Sequence, residues 1–230
     1  MSKEPKPNSS LSKSLSSVLR PALVLLALFL IFGIGGVLYQ GIRTLQQLTV
    51  VEAERDHWQR PDDIIRTLNL KEGSTVVDFG SGAGYFALKL SSTVGPKGSV
   101  VAVDLRQLSL FFLRVRAFLQ GKSNINIIVG EPDDPHLPGT AVDSVLIANT
   151  YHELTDPQSI LRHISRALRP GGRLVIVDPM PSPGEEHHHA MPDAVETELK
   201  NQGYNIVSRE DAFIRQRGDE FWWLIAASKP

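Results

Sequence analysis

The longest hydrophobic stretch of the chain has no period at all. From Pro21 to Ile42 no residue is charged, and between Ala22 and Tyr39 nearly every position is Leu, Ala, Val, Ile, Phe or Gly. Twenty-two helical residues at about 1.5 Å each reach roughly 33 Å, enough for a hydrocarbon core of about 30 Å. With no polar face, the segment does not read as an interfacial helix. It predicts a single transmembrane helix over 21–42 and therefore a single-pass membrane protein. A cleaved signal peptide is the competing reading, disfavoured by the length of the apolar run and by the lack of an Ala-x-Ala site after it. Residues 1–20, rich in Ser, Lys and Pro, read as a disordered basic tail, and residues 43–57 as a short helical connector.

From residue 58 onward the pattern changes to short β-rich runs alternating with helical spacing. Pro61 opens a helix with Asp62 and Asp63 in its first turn and an apolar stripe at Ile64, Ile65 and Leu68, closed by Gly73. Strands are predicted over 75–79, 99–104, 125–129, 142–148, 173–177, 205–208 and 221–227. Helices are predicted over 85–92, 108–119, 156–168 and 195–202. Strands separated by helices at this spacing imply an α/β domain over 58–230, a doubly wound sheet that binds ligands at the strand C-termini.

Composition alters this picture in two places. The net charge of −1 averages a tail of +3 (Lys3, Lys6, Lys13 and Arg20 against Glu4) with a remainder of −4, and the mean hydropathy of −0.08 hides the uncharged run. Nothing in that balance calls for a nucleic-acid partner. Cysteine is absent, which excludes disulfides, thiolate metal sites and a cysteine nucleophile.

The chemistry concentrates at two strand ends. Gly80, Gly82 and Gly84 lie between a strand and a helix, where a ligand can approach the backbone and the helix N-terminus offers free N–H donors. The spacing is G-x-G-x-G, not the G-x-G-x-x-G dinucleotide fingerprint, and no Walker lysine follows. Twenty residues beyond Gly84, Asp104 ends Val-Val-Ala-Val-Asp, placed to accept both hydroxyls of a ribose.

With these motifs, residues 58–230 resemble the class I S-adenosylmethionine-dependent methyltransferases, nearest to the small-molecule and quinone or lipid methyltransferases. The resemblance rests on VVDFGSGAGYF (76–86), VVAVDL (100–105), GEPDDPHLP (130–138), VDSVLIANTYHEL (142–154) and LRPGGRLVIVD (168–178). It implies a Rossmann-like seven-stranded sheet with an antiparallel last strand, and S-adenosylmethionine as cofactor. It further implies cofactor contacts at Asp78, Gly80, Ser81, Gly82, Gly84 and Asp104, with Asp133 for the adenine and Asp134 as its competitor. Asn149, Tyr151, His152 and Glu153 follow the fourth strand, where the methyl acceptor should lie, and His189 in a later loop is a further substrate contact. His152 is the candidate catalytic base for a hydroxyl acceptor, against a plain loop-bonding role. Glu185 and His187–His189 are adjacent in sequence and ill spaced for one metal, so no metal is assigned. Trp58, Trp222 and Trp223 read as packing residues, with Trp58 alternatively covering the cofactor.

The expected function is a membrane-anchored methyltransferase acting on a small or lipid-like acceptor, its catalytic domain on the cytoplasmic side where the cofactor is made. A nicotinamide-dependent oxidoreductase and a catalytically silent scaffold are the alternatives, the first opposed by the loop spacing and the second by the intact loop and acid pair.

Overall fold

The computed structural model describes residues 9–137, 139, 142–181, 190–215 and 220–230, with the side chains of residues 9–28 left aside. Two compact units result, Met1–Val50 and Val51–Pro230. Helix α1 is Ser9–Trp58, so helix begins within the segment expected to be a disordered tail, and its last turns belong to the second unit.

The membrane placement needs correction. Among the described residues no helix is long and apolar enough to cross a membrane. Gly33, Gly35, Gly36, Gln40 and Gly41 fall within the uncharged run and Arg43 ends it, which lowers the mean hydropathy of its C-terminal half. The transmembrane helix over 21–42, the single-pass localisation and the membrane as a partner are accordingly withdrawn.

The second unit is built on seven strands: β1 Thr75–Phe79, β2 Ser99–Asp104, β3 Ile125–Val129, β4 Val142–Ala148, β5 Leu168–Pro179, β6 Asn205–Arg215 and β7 Phe221–Ser228. They form one sheet in the order β3-β2-β1-β4-β5-β7-β6. The first five pair in parallel, and β7 runs antiparallel between β5 and β6. Helices α2 Pro61–Thr67, α3 Tyr85–Val94, α4 Gln107–Leu119, α5 Pro157–Ala167 and α6 Pro192–Asn201 connect them.

A central strand in such a sheet is buried on both faces, which is why β4 and β7 are almost wholly apolar. The two-residue period then sorts each strand between two cores. Val76, Leu146, Val175, Leu224 and Ala226 face a layer closed by α2, α3 and α4. Val77, Val145, Ile176, Trp223 and Ile225 face a layer with Ile160 and Ile164 of α5 and Val195 and Leu199 of α6.

Three elements differ from expectation. Helix α2 stops at Thr67 because Asn69 takes a left-handed conformation (φ 53°) well before Gly73. Strand β5 begins at Leu168: the pairing with β4 jumps from Val142–Leu168 to Ser144–Arg173, and the intervening turn is tied to the C-terminus through Gly171 N–H to Lys229 O at 2.9 Å. Strand β6 continues to Arg215 through two register shifts against β7, which its short apolar run did not suggest.

Candidate active site

The chain ends of β1, β2 and β4 converge on the glycine loop. Gly80, Gly82 and Gly84 all have positive φ (75°, 52° and 93°), a conformation that side chains rarely adopt. The N–H groups of Gly80 and Ser81 donate to Val103 O at 2.8 and 3.0 Å, lashing the loop to the end of β2. A Cβ on Gly80 would lie 2.1 Å from Thr150 Oγ1, so glycine there also lets the loop after β4 close against the loop after β1. A cleft opens beside this contact, walled by Phe79, Gly80, Val103, Asp104, Gly130, Glu131 and Thr150 among others.

One acid, Asp104, lines the cleft, and a second, Asp78, is buried in β1 just ahead of the glycine loop. Asp104 is buried at the end of β2; one carboxylate oxygen accepts the Gly82 N–H and the other the Arg106 N–H, both at 2.8 Å. Asp78 is 2% exposed, and its Oδ2 has no hydrogen-bond partner among the described residues. Burial pushes its carboxyl up to about 7, with the Ala87 N–H and the nearby Arg55 acting the other way and Asp104 adding to the rise. Ser81 Oγ is likewise buried and without a partner among the described residues.

The loop after β4 is held by an acid that the motif reading overlooked. Asp178, 0% exposed near the end of β5, accepts the Thr150 N–H through Oδ1 at 3.0 Å and the His152 N–H through Oδ2 at 2.9 Å. The same Oδ2 lies 3.0 Å from His152 Nδ1. A carboxylate only accepts, so Nδ1 is the ring nitrogen that donates to Asp178. A sequence signal for Asp178 was present: like Asp78 and Asp104, it is an acid at the C-terminal end of an apolar strand.

Several expected contacts are placed elsewhere. Tyr151 is 1% exposed and packs edge-on against Trp223, ring centroids 6.5 Å apart, so it belongs to the core and not to a substrate surface. The short helical turn Tyr151–Glu153 rotates that side chain inward while Glu153 lines the cleft. Asp133 is exposed, its carbonyl accepting from Ser159 Oγ at 3.2 Å; Glu131 occupies the cleft wall instead. The turn that does this is closed by Glu131 N–H to Asp134 O at 2.7 Å, followed by His136 at φ 49°. Asn149 lines a separate cavity with Val51, Glu54, Arg55, Trp58 and Trp222. His189 and the Glu185 and His187–His189 cluster lie outside the described residues. Trp223 is fully buried and Trp222 nearly so, in keeping with packing roles.

A family model for the methyltransferase domain matches residues 70–224. The chain belongs to this family. Its motifs are those of the class I S-adenosylmethionine-dependent methyltransferases, and its cofactor is S-adenosylmethionine. The chain is similar to a ubiquinone/menaquinone biosynthesis C-methyltransferase UbiE of Pasteurella multocida (strain Pm70), 31% identical over 47% of this chain and 41% of that protein. It is also similar to a demethylmenaquinone methyltransferase of Geobacillus kaustophilus (strain HTA426), 26% identical over 54% of this chain and 53% of that one. The chain thus spans about half the length of the curated relatives it matches, or less. Among solved structures, a SAM-dependent methyltransferase from Aquifex aeolicus superposes with a TM-score of 0.62 at 26% identity, over 74% of this chain and 89% of that one.

The residues present suit that cofactor. Among the described residues Asp78 Oδ2 is buried and unpartnered, suited to an ammonium group, and Ser81 Oγ is an unpartnered hydroxyl. Gly82 has open space where a Cβ would stand, so a ligand can reach its backbone. Asp104 is fixed at the cleft wall by two backbone donors and by the exposed Arg106 guanidinium, whose Nε lies 3.2 Å from Oδ1, so a ribose hydroxyl would take the place of that side-chain contact.

Proposed function

We propose that this protein transfers a methyl group from S-adenosylmethionine to a small-molecule acceptor held beside the loop after β4. In this reading residues 51–230 form the catalytic unit. Asp78, Gly80, Ser81, Gly82, Gly84 and Asp104 hold the cofactor, Glu131 replaces Asp133 on the adenine side, and His152 is the base. The relatives named for ubiquinone and menaquinone synthesis favour a quinone-like acceptor. The argument for a lipid-like acceptor from membrane tethering falls with the transmembrane span.

When bound, S-adenosylmethionine supplies a methyl carbon already activated by a sulfonium, so the protein's task is positioning and proton removal. Asp178 performs part of both. It fixes the backbone of the loop at Thr150 and His152, and it orients the imidazole so that Nε2 takes the proton of the acceptor. As positive charge develops on that ring, the carboxylate against Nδ1 stabilises it. The single observation that carries the reading of His152 as a base is this hydrogen bond from its ring to a fully buried acid.

Calorimetry with the full chain tests the cofactor claim: S-adenosylmethionine binds, and Asp104→Ala weakens it. No binding to the wild-type protein ends the methyltransferase reading. Turnover measured with a panel of quinol and phenol acceptors and labelled cofactor tests the base. His152→Ala should lower turnover by about a hundredfold or more with little change in cofactor affinity. Equal turnover in mutant and wild type ends the general-base role.

A further inference from the structure

Arg116 of α4 is 7% exposed, and a guanidinium so withdrawn from water needs a counter-ion and acceptors for its donors. It finds both. Nη1 donates to Glu52 Oε1 at 2.7 Å and also to Ala83 O, while Nη2 pairs with Glu52 Oε2. Ala83 is the residue between Gly82 and Gly84, so a single side chain joins the glycine loop to the end of α1.

The two ends of that loop are anchored differently. Its start is tied to β2, through Gly80 and Ser81 to Val103 O and through Gly82 to Asp104 Oδ2. Its end leans on α4, where a Cβ on Gly84 would stand 2.3 Å from Leu113 Cδ1. Arg116 follows Leu113 by three residues, on the same face of the helix. The peptide between Ala83 and Gly84 thereby has both polar groups fixed: Arg116 holds the carbonyl, and Ser81 O accepts the N–H at 2.9 Å. Tyr85, next in the chain, is gripped as well. Its Oη donates to Asp56 Oδ1 at 2.8 Å, and the Arg55 guanidinium lies 3.9 Å from its ring centre. Glu52, Arg55 and Asp56 occupy adjacent turns of α1, so one helix end holds both sides of Gly84.

Glycine leaves a loop more conformational freedom than any other residue, and a ligand that needs the loop ordered binds more weakly by the cost of ordering it. An anchor that presets the loop removes that cost. A buried ion pair often adds little stability over apolar residues of the same volume, so the value of this one is geometric. The Glu52 carboxylate holds the guanidinium plane and aims the second Nη1 hydrogen at Ala83 O.

We propose that Arg116 is a positioning residue for the cofactor loop, held by Glu52, so that the end of α1 sets how tightly S-adenosylmethionine binds. The proposal rests on the methyltransferase reading and deepens it with a pair that acts on the cofactor through the loop backbone. Coupling of this kind is reciprocal, so bound cofactor must in turn steady the end of α1.

Calorimetry with S-adenosylmethionine on the full chain provides the test, at a temperature where circular dichroism shows every variant folded. Glu52→Gln and Arg116→Met should each weaken binding about tenfold at one site per chain, and Glu52→Asp should recover part of the loss. Asp156→Ala, which loosens α5 far from the loop, should stay within about twofold of wild type and separates positioning from mere loss of stability. Hydrogen exchange supplies a second readout. Amides of residues 80–86 should exchange faster in Glu52→Gln than in wild type, and cofactor should slow residues 51–58 in wild type but not in Glu52→Gln. Where Arg116→Met fails to fold, Glu52→Gln carries the test alone, since it keeps the guanidinium and a hydrogen-bonding partner for it. Cofactor affinity in Glu52→Gln equal to wild type, or lowered no more than in Asp156→Ala, overturns the proposal and spares the methyltransferase reading. No binding to the wild type ends both.

Discussion

Asp78 shows how a single buried carboxyl couples protonation to both stability and ligand binding. Burial raises it to about 7, against an ordinary carboxylate value near 4. Between those two pH values the folded protein keeps a proton that the unfolded chain has released. The folded state therefore binds more protons than the unfolded state, and stability falls as pH rises through that window. The thermal midpoint of the unliganded protein should drop between about pH 4 and pH 7, and Asp78→Asn should flatten that slope. A cofactor ammonium beside Oδ2 favours the ionised carboxyl, so cofactor binding should expel a proton below pH 7 and tighten as pH rises toward it. Titration in two buffers of different ionisation heat measures that proton, and an unchanged proton count in Asp78→Asn would assign it to another group. Asp78, the three glycines and Asp104 stand out as candidates in the sequence because each belongs to a short local pattern at a strand end. The pairing of His152 with Asp178 does not, since 26 residues separate the two and only the parallel packing of β4 against β5 brings them together. Tyr151 illustrates the opposite case: Thr150 and Glu153 of the same motif line the cleft, but one short helical turn sends the Tyr151 ring into the core.

Elements were legible where the pattern had a start and a stop. Helix α5 is the clearest case, with Asp156 as cap and Pro157 in the first turn, and the structure shows Asp156 Oδ1 accepting the Ser159 N–H at 2.9 Å. Removing such a cap costs about 1 kcal/mol. Asp156→Ala should therefore lower the thermal midpoint by about 3 °C, read by calorimetry or circular dichroism. An unchanged midpoint would mean that packing of Ile160, Leu161 and Ile164 against the sheet fixes this helix end without help from the cap. The same reasoning explains why β5 and β6 were read too short. The Arg-Pro-Gly-Gly turn looks like a break, yet it stays in the sheet as an excursion anchored to the C-terminal residues. Strand β6 is an edge whose charged Arg209, Glu210 and Asp211 conceal its period, and charge of this kind is how edge strands avoid pairing with other chains. The run at 21–42 shows that absence of charge is not by itself a span: among the described residues no helix is long and apolar enough to cross a membrane.

For the molecule as a whole, the decisive boundary is the start of the second unit at Val51, seven residues before the point where the alternating pattern begins. The last two turns of α1 bring three contacts to the catalytic unit that no local pattern reveals. Arg116 of α4, largely withdrawn from water, donates through Nη1 to Glu52 Oε1 at 2.7 Å. Tyr85 Oη donates to Asp56 Oδ1 at 2.8 Å, and Trp58 covers Trp222. Removing one partner of a buried ion pair costs about 3–5 kcal/mol, because the remaining charge stays uncompensated. A fragment beginning at residue 59 loses Glu52 and also uncovers Tyr85 and Trp222. It should unfold in denaturant with a stability at least about 3 kcal/mol below that of a fragment beginning at residue 51. The longer fragment should match the full chain in the transition reported by its tryptophans and in cofactor affinity. Glu52→Gln in the full chain isolates the ion pair and should account for much of the difference. If the two fragments are equally stable, residues 51–58 are an appendage to a domain that closes without them. If only the shorter one fails, and Glu52→Gln reproduces much of that failure, the end of α1 is an integral part of the fold, and the wall of the cavity beside Asn149 is built from it.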